Sequence, residues 1–313
     1  MHQSDEIRSR AQRCLLGQLI GDALGSLVEF QSPDRIAAAY PNGVRELKDG
    51  GTWNTIAGQP TDDSEMALAL ARCLVRDDGY NAVHVRRAYV EWLASEPVDC
   101  GMTVQSGLRG QPNPESQANG ALMRVSPLGI LGAREGMESH ALEAAEKDAA
   151  MTHPHPVCAE ANRVFVQALI WAIRDGVSAD TILDRLCSTG DDSVVRGVLS
   201  RARLGPPEDF IAQQGWVLIA LQNAFWQAKN NLNPEESLVD TIGQGGDTDT
   251  NAGICGALLG AIHGLDAWPE RWVTTVLSCR PERGTPRVRR PRPEVYWPVD
   301  ALDLADQLSG YRP

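Results

Sequence analysis

Residues 245–262 read GGDTDTNAGICGALLGAI, a cluster of acidic and hydroxyl side chains that runs directly into an apolar segment. The two glycines let the backbone turn tightly before Asp247. The run from Ala252 to Ile262 predicts a helix, and its N-terminal amides would face the cluster. This stretch therefore predicts a buried helix that begins at a loop bearing Asp247, Thr248, Asp249 and Thr250.

A second acidic cluster, Thr61-Asp62-Asp63-Ser64, precedes another predicted helix over residues 64–75. Capping alone could explain a doubly acidic helix start, because the helix dipole favours carboxylates there. A cap needs only one such residue, however, and the later cluster offers four. Adjacent carboxylates repel one another unless a cation holds them, and hard oxygen ligands suit Mg²⁺ or Mn²⁺ rather than zinc. Brought together, the two clusters would form a two-metal centre.

Helical periodicity dominates the rest of the chain. Apolar residues recur every three or four positions over residues 8–28, and further helices are predicted over 82–93, 139–150, 156–174, 180–187, 215–229, 235–242, 268–277 and 299–308. Strand signals are scarce, with Val44 to Leu47 a weak candidate. The stripes Gly17/Gly21/Gly25 and Gly256/Gly260/Gly264 indicate close helix–helix approach. We expect an all-α single domain over residues 1–313, with a flexible tail at 1–10 and an exposed Arg- and Pro-rich loop at 280–293.

Composition narrows the classes of function. Apolar residues make up 42% of the 313, enough for a sizeable core, and the net charge is −12, which argues against nucleic acid as a partner. Seven cysteines without a CxxC pair indicate a reduced, cytoplasmic protein. No apolar run is long enough to span a membrane, so we expect no membrane association.

Several blocks, in order, resemble the ADP-ribosylglycohydrolase family, which includes dinitrogenase-reductase-activating glycohydrolases and ADP-ribosylarginine hydrolases. The resemblance lies in residues 19–29 (LIGDALGSLVE), 61–63 (TDD), 119–124 (NGALMR), 152–156 (THPHP), 245–251 (GGDTDTN) and 296–302 (YWPVDAL). It implies a compact all-α fold with a binuclear Mg²⁺ or Mn²⁺ centre. The metal ligands that it implies are Thr61, Asp62, Asp63, Asp247, Asp249 and Thr250, with Asp249 bridging both ions.

The resemblance also implies roles around the metals. Glu29 occupies the place of a mobile acidic residue, and either Glu29 or Asp63 would take the proton of the attacking water. Asp99 resembles a residue on the leaving-group side, where a carboxylate could hold a guanidinium, although a loop-capping role is also open and Met102 beside it is unusually apolar. The ADP-ribose moiety would contact Asn119, Gly120, Ala121, Met123 and His153. Arg124 could bind phosphate or pair with a carboxylate.

The expected activity is metal-dependent removal of ADP-ribose from arginine side chains of a modified protein, the reversal of mono-ADP-ribosylation. A cognate ADP-ribosyltransferase is a possible further partner. Hydrolysis of ADP-ribosyl-serine or of O-acetyl-ADP-ribose remains open. A non-catalytic ADP-ribose reader, or an immunity protein that blocks a transferase, is a third hypothesis, and residues 280–293 could then serve for docking.

Overall fold

A computed structural model describes residues 3–188, 193–230 and 233–311. The helices are α1 (Gln3–Gly25), α2 (Pro33–Ala39), α3 (Asp62–Asp77), α4 (Ala82–Ala94), α5 (Met102–Leu108), α6 (Ser126–Gly132), α7 (Glu138–Ala150), α8 (Pro156–Ile170), α9 (Ala179–Cys187), α10 (Val194–Ala202), α11 (Val217–Asn230), α12 (Pro234–Gly243), α13 (Thr248–His263), α14 (Glu270–Leu277) and α15 (Ala301–Ser309). Within the described ranges the only β pairing is two isolated bridges. The all-α prediction is confirmed, and residues 44–47 form no strand.

Two long helices, α1 and α13, form the centre of the fold. From Cys14 to Gly25 every residue of α1 is buried, which is the pattern of a helix surrounded by other helices. A Cβ placed on Gly17 would lie 2.1 Å from the Gly256 carbonyl oxygen, and one on Gly21 would lie 2.1 Å from that of Ala252. The glycine stripes therefore bring the two backbones into direct contact, as the sequence predicted.

The register of this contact places the acidic clusters. Gly17 faces Gly256, whereas Gly25 faces Asp249, so the two helices run antiparallel. Consequently the C-terminal end of α1 lies beside the N-terminal end of α13. The hydroxyl of Thr248 donates a 2.7 Å hydrogen bond to the Gly25 carbonyl and fixes this end of the pair.

Two segments differ from the sequence expectation. Residues 3–10, expected to be a flexible tail, form the first turns of α1, and Arg8 pairs with Asp306 of α15 at 2.7 Å. Residues 1 and 2 lie outside the described ranges. The Arg- and Pro-rich loop is largely exposed, but Arg292 is only 5% exposed because it pairs with the buried Glu65. An arginine so deep in the protein carries a structural role that its exposed neighbours lack.

All seven cysteines are free, in agreement with the prediction that the chain carries no disulfide framework. Among the helices described, none combines the length and the hydropathy that a membrane span requires.

Candidate metal centre

The first half of the site is the loop before α13. Gly245 and Gly246 adopt φ angles of 73° and 72°, a left-handed conformation that glycine tolerates without strain. Backbone hydrogen bonds join this loop to the end of the α1 segment, from Phe30 N to Gly246 O at 2.7 Å and from Gly246 N to Gln31 O at 3.0 Å. These bonds hold Asp247 and Asp249 against the segment that bears Glu29.

The second half is the first turn of α3. Asp62 and Asp63 are almost completely buried, at 4% and 2% exposure. The cap of this helix comes from another helix, because Asp22 of α1 accepts hydrogen bonds from Thr61 N at 3.0 Å, Thr61 Oγ1 at 2.7 Å and Ser64 N at 3.2 Å. Thr61 thus donates its hydroxyl proton to Asp22 and keeps its oxygen lone pairs available.

Asp22 was not among the residues that the sequence singled out. Its signal was a lone carboxylate within the apolar run LLGQLIGDALG, residues 15–25, on a helix that is otherwise buried. A buried carboxylate requires partners, and here they are the amides of α3.

Carboxylate oxygens of the two halves converge on Asp249. Ligand atoms of Asp22, Asp63 and Asp249 all lie within 4.8 Å of one another, and so do those of Glu29, Asp247 and Asp249. Thr250 lies at the same place, because its backbone amide donates a 2.9 Å hydrogen bond to Asp249 Oδ1. Of the predicted metal ligands, Asp63, Asp247 and Asp249 thus lie in two adjoining carboxylate clusters that share Asp249, together with Glu29 and the unpredicted Asp22.

This donor set fits hard divalent cations. Neither group contains His or Cys, and Asp63 Oδ1 is buried without a hydrogen-bond partner among the described residues. Burial raises the pKa of Asp62, Asp63 and Asp249 well above the ordinary range, and neighbouring carboxylates raise it further. A bound cation would reverse that balance and hold the carboxylates ionised.

Glu29 belongs to the second of these groups and is almost completely buried, at 4% exposure. Its Oε2 accepts a 2.5 Å hydrogen bond from the indole Nε1 of Trp53, and burial raises its pKa to about 8. The next residue, Phe30, has a φ of 63° and stands edge-on to the Trp53 ring with the centroids 6.5 Å apart. A non-glycine residue with a positive φ angle is strained, and such strain is often found at functional sites. We therefore associate the backbone reversal after Glu29 with the site.

The loop that carries Asp99 also reaches the site. Gly101 N donates to Asp62 Oδ2 at 3.3 Å, and the charge of Asp99 raises the pKa of both Asp62 and Glu29. Asp99 itself is half-buried, and burial raises its pKa. Met102, the first residue of α5, is 89% exposed. Asp99 is thus a partly open carboxylate beside the buried ones.

The residues predicted to contact ADP-ribose differ in their distance from the acidic groups. Asn119 donates its side-chain amide to Asp247 Oδ2 at 2.7 Å and thereby joins the acidic groups. Gly120 packs closely on the His153 ring, where a Cβ would lie 3.2 Å from Nε2. Ala121 is fully buried, and the Met123 side chain packs in the apolar core. Of this segment, Asn119 and Gly120 have the better positions for ligand contact.

The side chains of His153 and Arg124 are buried and do not face a solvent-accessible ligand site. His153 is fully buried, its Nδ1 lies 2.7 Å from the Thr152 hydroxyl, and burial lowers its pKa to about 3. Arg124 forms a buried ion pair with Asp148 at 2.8 Å and stacks on Tyr89 at 4.7 Å. Of the two roles considered for Arg124, the structure therefore supports pairing with a carboxylate.

A cavity of about 590 Å³, shallow and widely open to solvent, lies beside Ala118 and next to Asn119, and it was not foreseen from the sequence. Gln117 and Trp216 form part of its wall, and they are joined by a hydrogen bond of 3.0 Å from the indole Nε1. Gly215 connects the cavity to the acidic groups, because its backbone accepts from Asn119 N at 2.9 Å and a Cβ there would lie 3.8 Å from Asp247 Oδ2.

Comparisons with known proteins all identify the same family. Residues 3–306 match the model of the ADP-ribosylglycohydrolase family. The chain is 30% identical over 309 residues to ADP-ribosyl-[dinitrogen reductase] glycohydrolase of Rhodospirillum rubrum, covering 95% of this chain and 96% of the relative. It is 24% identical to ADP-ribosylarginine hydrolase Tri1 of Pseudomonas putida, covering 87% and 75%. A solved structure titled "ADP-ribosylglycohydrolase-related protein complex" superposes with a TM-score of 0.79 and 26% identity, covering 98% and 99%.

Proposed function

Since this chain belongs to the ADP-ribosylglycohydrolase family, whose members hydrolyse glycosidic bonds of ADP-ribose, we propose that its substrate is ADP-ribose attached to an arginine side chain of a protein. The names of the Rhodospirillum rubrum and Pseudomonas putida relatives support modified proteins and arginine linkages as substrates. The observation that carries the proposal is that the loop bearing Asp99 reaches the acidic site, where Gly101 N donates a 3.3 Å hydrogen bond to Asp62 Oδ2. A half-buried carboxylate in this position can hold a guanidinium leaving group through paired hydrogen bonds.

We assign two divalent cations, Mg²⁺ or Mn²⁺, to the adjoining groups. Their ligands would be Thr61, Asp62, Asp63, Asp247, Asp249 and Thr250, and Asp249 would contact both ions. Asp22 keeps Thr61 and the first turn of α3 in place through its hydrogen bonds. When bound, the cations supply Lewis-acid chemistry, because they orient ribose hydroxyls and a water molecule and stabilise negative charge.

The protein's own groups account for proton movement. Water adds to C1″ of the distal ribose, and the bond from C1″ to the guanidinium nitrogen breaks. The leaving guanidine takes the bonding electron pair and finally receives the proton that the water gave to the general base. Glu29 is our first candidate to accept the water's proton, because Trp53 binds one of its oxygens and leaves the other available. Asp63, with its unpartnered Oδ1, is the alternative. Asp99 would hold the departing guanidinium.

The cavity next to Asn119 would orient the substrate. It has the size of a nucleotide-binding cleft, and Trp216 and Gln117 offer an aromatic face and an amide. Gly215 leaves room between the cavity and Asp247. A dinucleotide-like ligand could therefore extend from this cavity to the acidic groups.

The test is hydrolysis of free ADP-ribosyl-arginine with Mg²⁺, with Mn²⁺ or with EDTA. We expect metal-dependent release of ADP-ribose, lost in Asp247→Ala/Asp249→Ala and retained in Asp180→Ala/Asp303→Ala, which removes two exposed carboxylates elsewhere. Cleavage of ADP-ribosyl-serine or O-acetyl-ADP-ribose without cleavage of the arginine substrate would contradict the proposed linkage. Binding of ADP-ribose without any hydrolysis would favour a reader.

A further inference from the structure

Residues 280–293, RPERGTPRVRRPRP, contain six arginines and one glutamate in a chain of net charge −12. We call this segment the arginine loop. Arg292 is buried, and the side chains of the other five arginines are exposed: Arg280, Arg283, Arg287, Arg289 and Arg290. So dense a group of cations on an acidic protein produces a local field of opposite sign to the rest of the molecule.

The arginine loop is held in a fixed position. Its base is closed by a backbone hydrogen bond of 2.8 Å from Arg292 N to Pro281 O. The Arg292 guanidinium forms two hydrogen bonds with Glu65, at 2.7 and 2.8 Å, and a third with Ser95 O at 2.8 Å. Four prolines further restrict the backbone. The exposed arginines are therefore presented by a closed loop with an anchored base.

This anchoring places the loop next to the proposed active site. Arg290 donates through Nε to Trp53 O at 3.1 Å, and its own carbonyl accepts from Gln59 at 2.7 Å. Trp53 is the residue whose indole binds Glu29. Glu65, the partner of Arg292, follows Asp63 by two residues in α3. The exposed cations thus border the segment that covers Glu29.

Most of this positive charge is not neutralised within the protein. Arg287 lies 3.9 Å from Asp49, at the limit of an ion pair. Among the described residues Arg283 and Arg289 form no ion pair with a carboxylate. Phe30, 54% exposed, stands against Trp53 and adds an apolar element to the same rim. Exposed cations with an apolar neighbour are suited to bind an acidic protein segment, because such a segment offers both carboxylates and apolar atoms.

We propose that the arginine loop is a docking surface for acidic residues that flank the modified arginine in the substrate protein, an inference that rests on the proposed function. A long polyanion such as nucleic acid would pass the carboxylates of the site and be repelled there. In a short acidic segment that ends at the modified side chain, the acidic residues would contact the exposed cations of the arginine loop. Only the guanidinium of the modified arginine would contact the carboxylates of the site. The loop would raise the rate of encounter with such substrates rather than the rate of the chemical step.

The experiment compares three substrates: free ADP-ribosyl-arginine, and two synthetic peptides in which the ADP-ribosylated arginine is flanked by glutamates or by lysines. We expect kcat/KM for the glutamate peptide to exceed that for the lysine peptide by about tenfold at low ionic strength. In Arg283→Glu/Arg289→Glu this preference should vanish while free ADP-ribosyl-arginine is hydrolysed within about twofold of the original rate. High salt should reduce the original preference.

The matched control is Lys147→Glu/Arg163→Glu, which makes the same change in net charge on α7 and α8, and it should keep the preference. Equal kcat/KM for both peptides in the unmodified protein would overturn the docking surface while hydrolysis of the free substrate leaves the proposed function intact. A preference that the control variant loses to the same extent would also overturn the docking surface. So would the absence of any peptide preference together with binding to phosphatidylserine vesicles that only Arg283→Glu/Arg289→Glu loses.

Failure of the proposed function has a different signature, namely no release from free ADP-ribosyl-arginine with either metal. Docking is then judged by fluorescence anisotropy with the unmodified glutamate and lysine peptides. Tighter binding of the glutamate peptide, lost in Arg283→Glu/Arg289→Glu, supports the surface. Equal binding of both peptides overturns it.

Discussion

Asp22 shows how one residue connects two helices to one site. Its carboxylate belongs to α1, yet it accepts three hydrogen bonds at the start of α3, two from backbone amides and one from the Thr61 hydroxyl. Burial raises its pKa, and these hydrogen bonds oppose that rise by favouring the ionised form. Such a residue orients the ligands around it, which is the role that supporting residues play in metal sites.

His153 leads to a prediction about pH. Burial lowers its pKa from 6.5 to about 3, so the folded protein keeps the ring neutral where the unfolded chain would protonate it. Between these values the unfolded state binds more protons, and stability falls as pH decreases. We expect this residue to contribute a loss of about 2 kcal/mol between pH 7 and pH 5.

Urea unfolding of the original protein and of His153→Gln at both pH values measures this contribution. The difference in unfolding free energy between pH 7 and pH 5 should be smaller in the variant, although the variant is less stable at pH 7. Parallel pH dependences of the two proteins would show that His153 has the same pKa in the folded and unfolded states and would contradict the prediction.

At the scale of elements, the α1–α13 pair determines the geometry of the site. Backbone contact at Gly17, Gly21 and Gly25 sets both the distance and the register of the two helices. Asp22 lies in the last turns of α1 and Glu29 follows that helix, whereas Asp247 and Asp249 lie at the start of α13. The same contact therefore sets the separation of the carboxylates. The periodicity of the sequence predicted the close approach, but it did not pair the stripes or reveal that the helices run antiparallel.

Gly17→Ala tests this contact. The added methyl would lie 2.1 Å from the Gly256 carbonyl oxygen and 2.7 Å from the Trp268 ring, so the backbones must separate. We expect a loss of about 3 kcal/mol in the free energy of unfolding, measured by denaturant titration. The control is Gly243→Ala in α12, where no atom lies within 4 Å, and there stability should be unchanged or slightly higher. Equal losses in both variants would contradict tight backbone packing as the cause.

At the scale of the whole molecule, the fold class and most of the acidic site could be predicted from the sequence. Helical periodicity and the two acidic clusters are local signals, and they sufficed to predict α3, α13 and the carboxylates of Asp63, Asp247 and Asp249. Glu29 came only from the family resemblance, and Asp22 was missed. The partners of Asp22, the burial of Arg292 and the cavity beside Trp216 depend on contacts between distant segments. Such contacts leave no periodic pattern, which is why Arg292 was grouped with its exposed neighbours.

The whole molecule should also respond to the metal. Several carboxylates buried close together without a cation destabilise the folded state, so Mg²⁺ or Mn²⁺ should raise the melting temperature. At a metal concentration about a hundredfold above Kd the stabilisation is about 2.7 kcal/mol. Differential scanning fluorimetry with increasing metal, and with EDTA, measures the shift, and Asp247→Ala/Asp249→Ala should reduce it. A melting temperature independent of both metals would contradict a cation site at Asp249.

The pairing of α1 with α13 has a consequence for biosynthesis. The hydrogen bond from Thr248 to Gly25 joins residues 223 positions apart. A growing polypeptide therefore carries the apolar length of α1 through most of translation before its partner helix has been made. We expect the nascent chain to engage chaperones early, and the site to assemble only after α13 has left the ribosome.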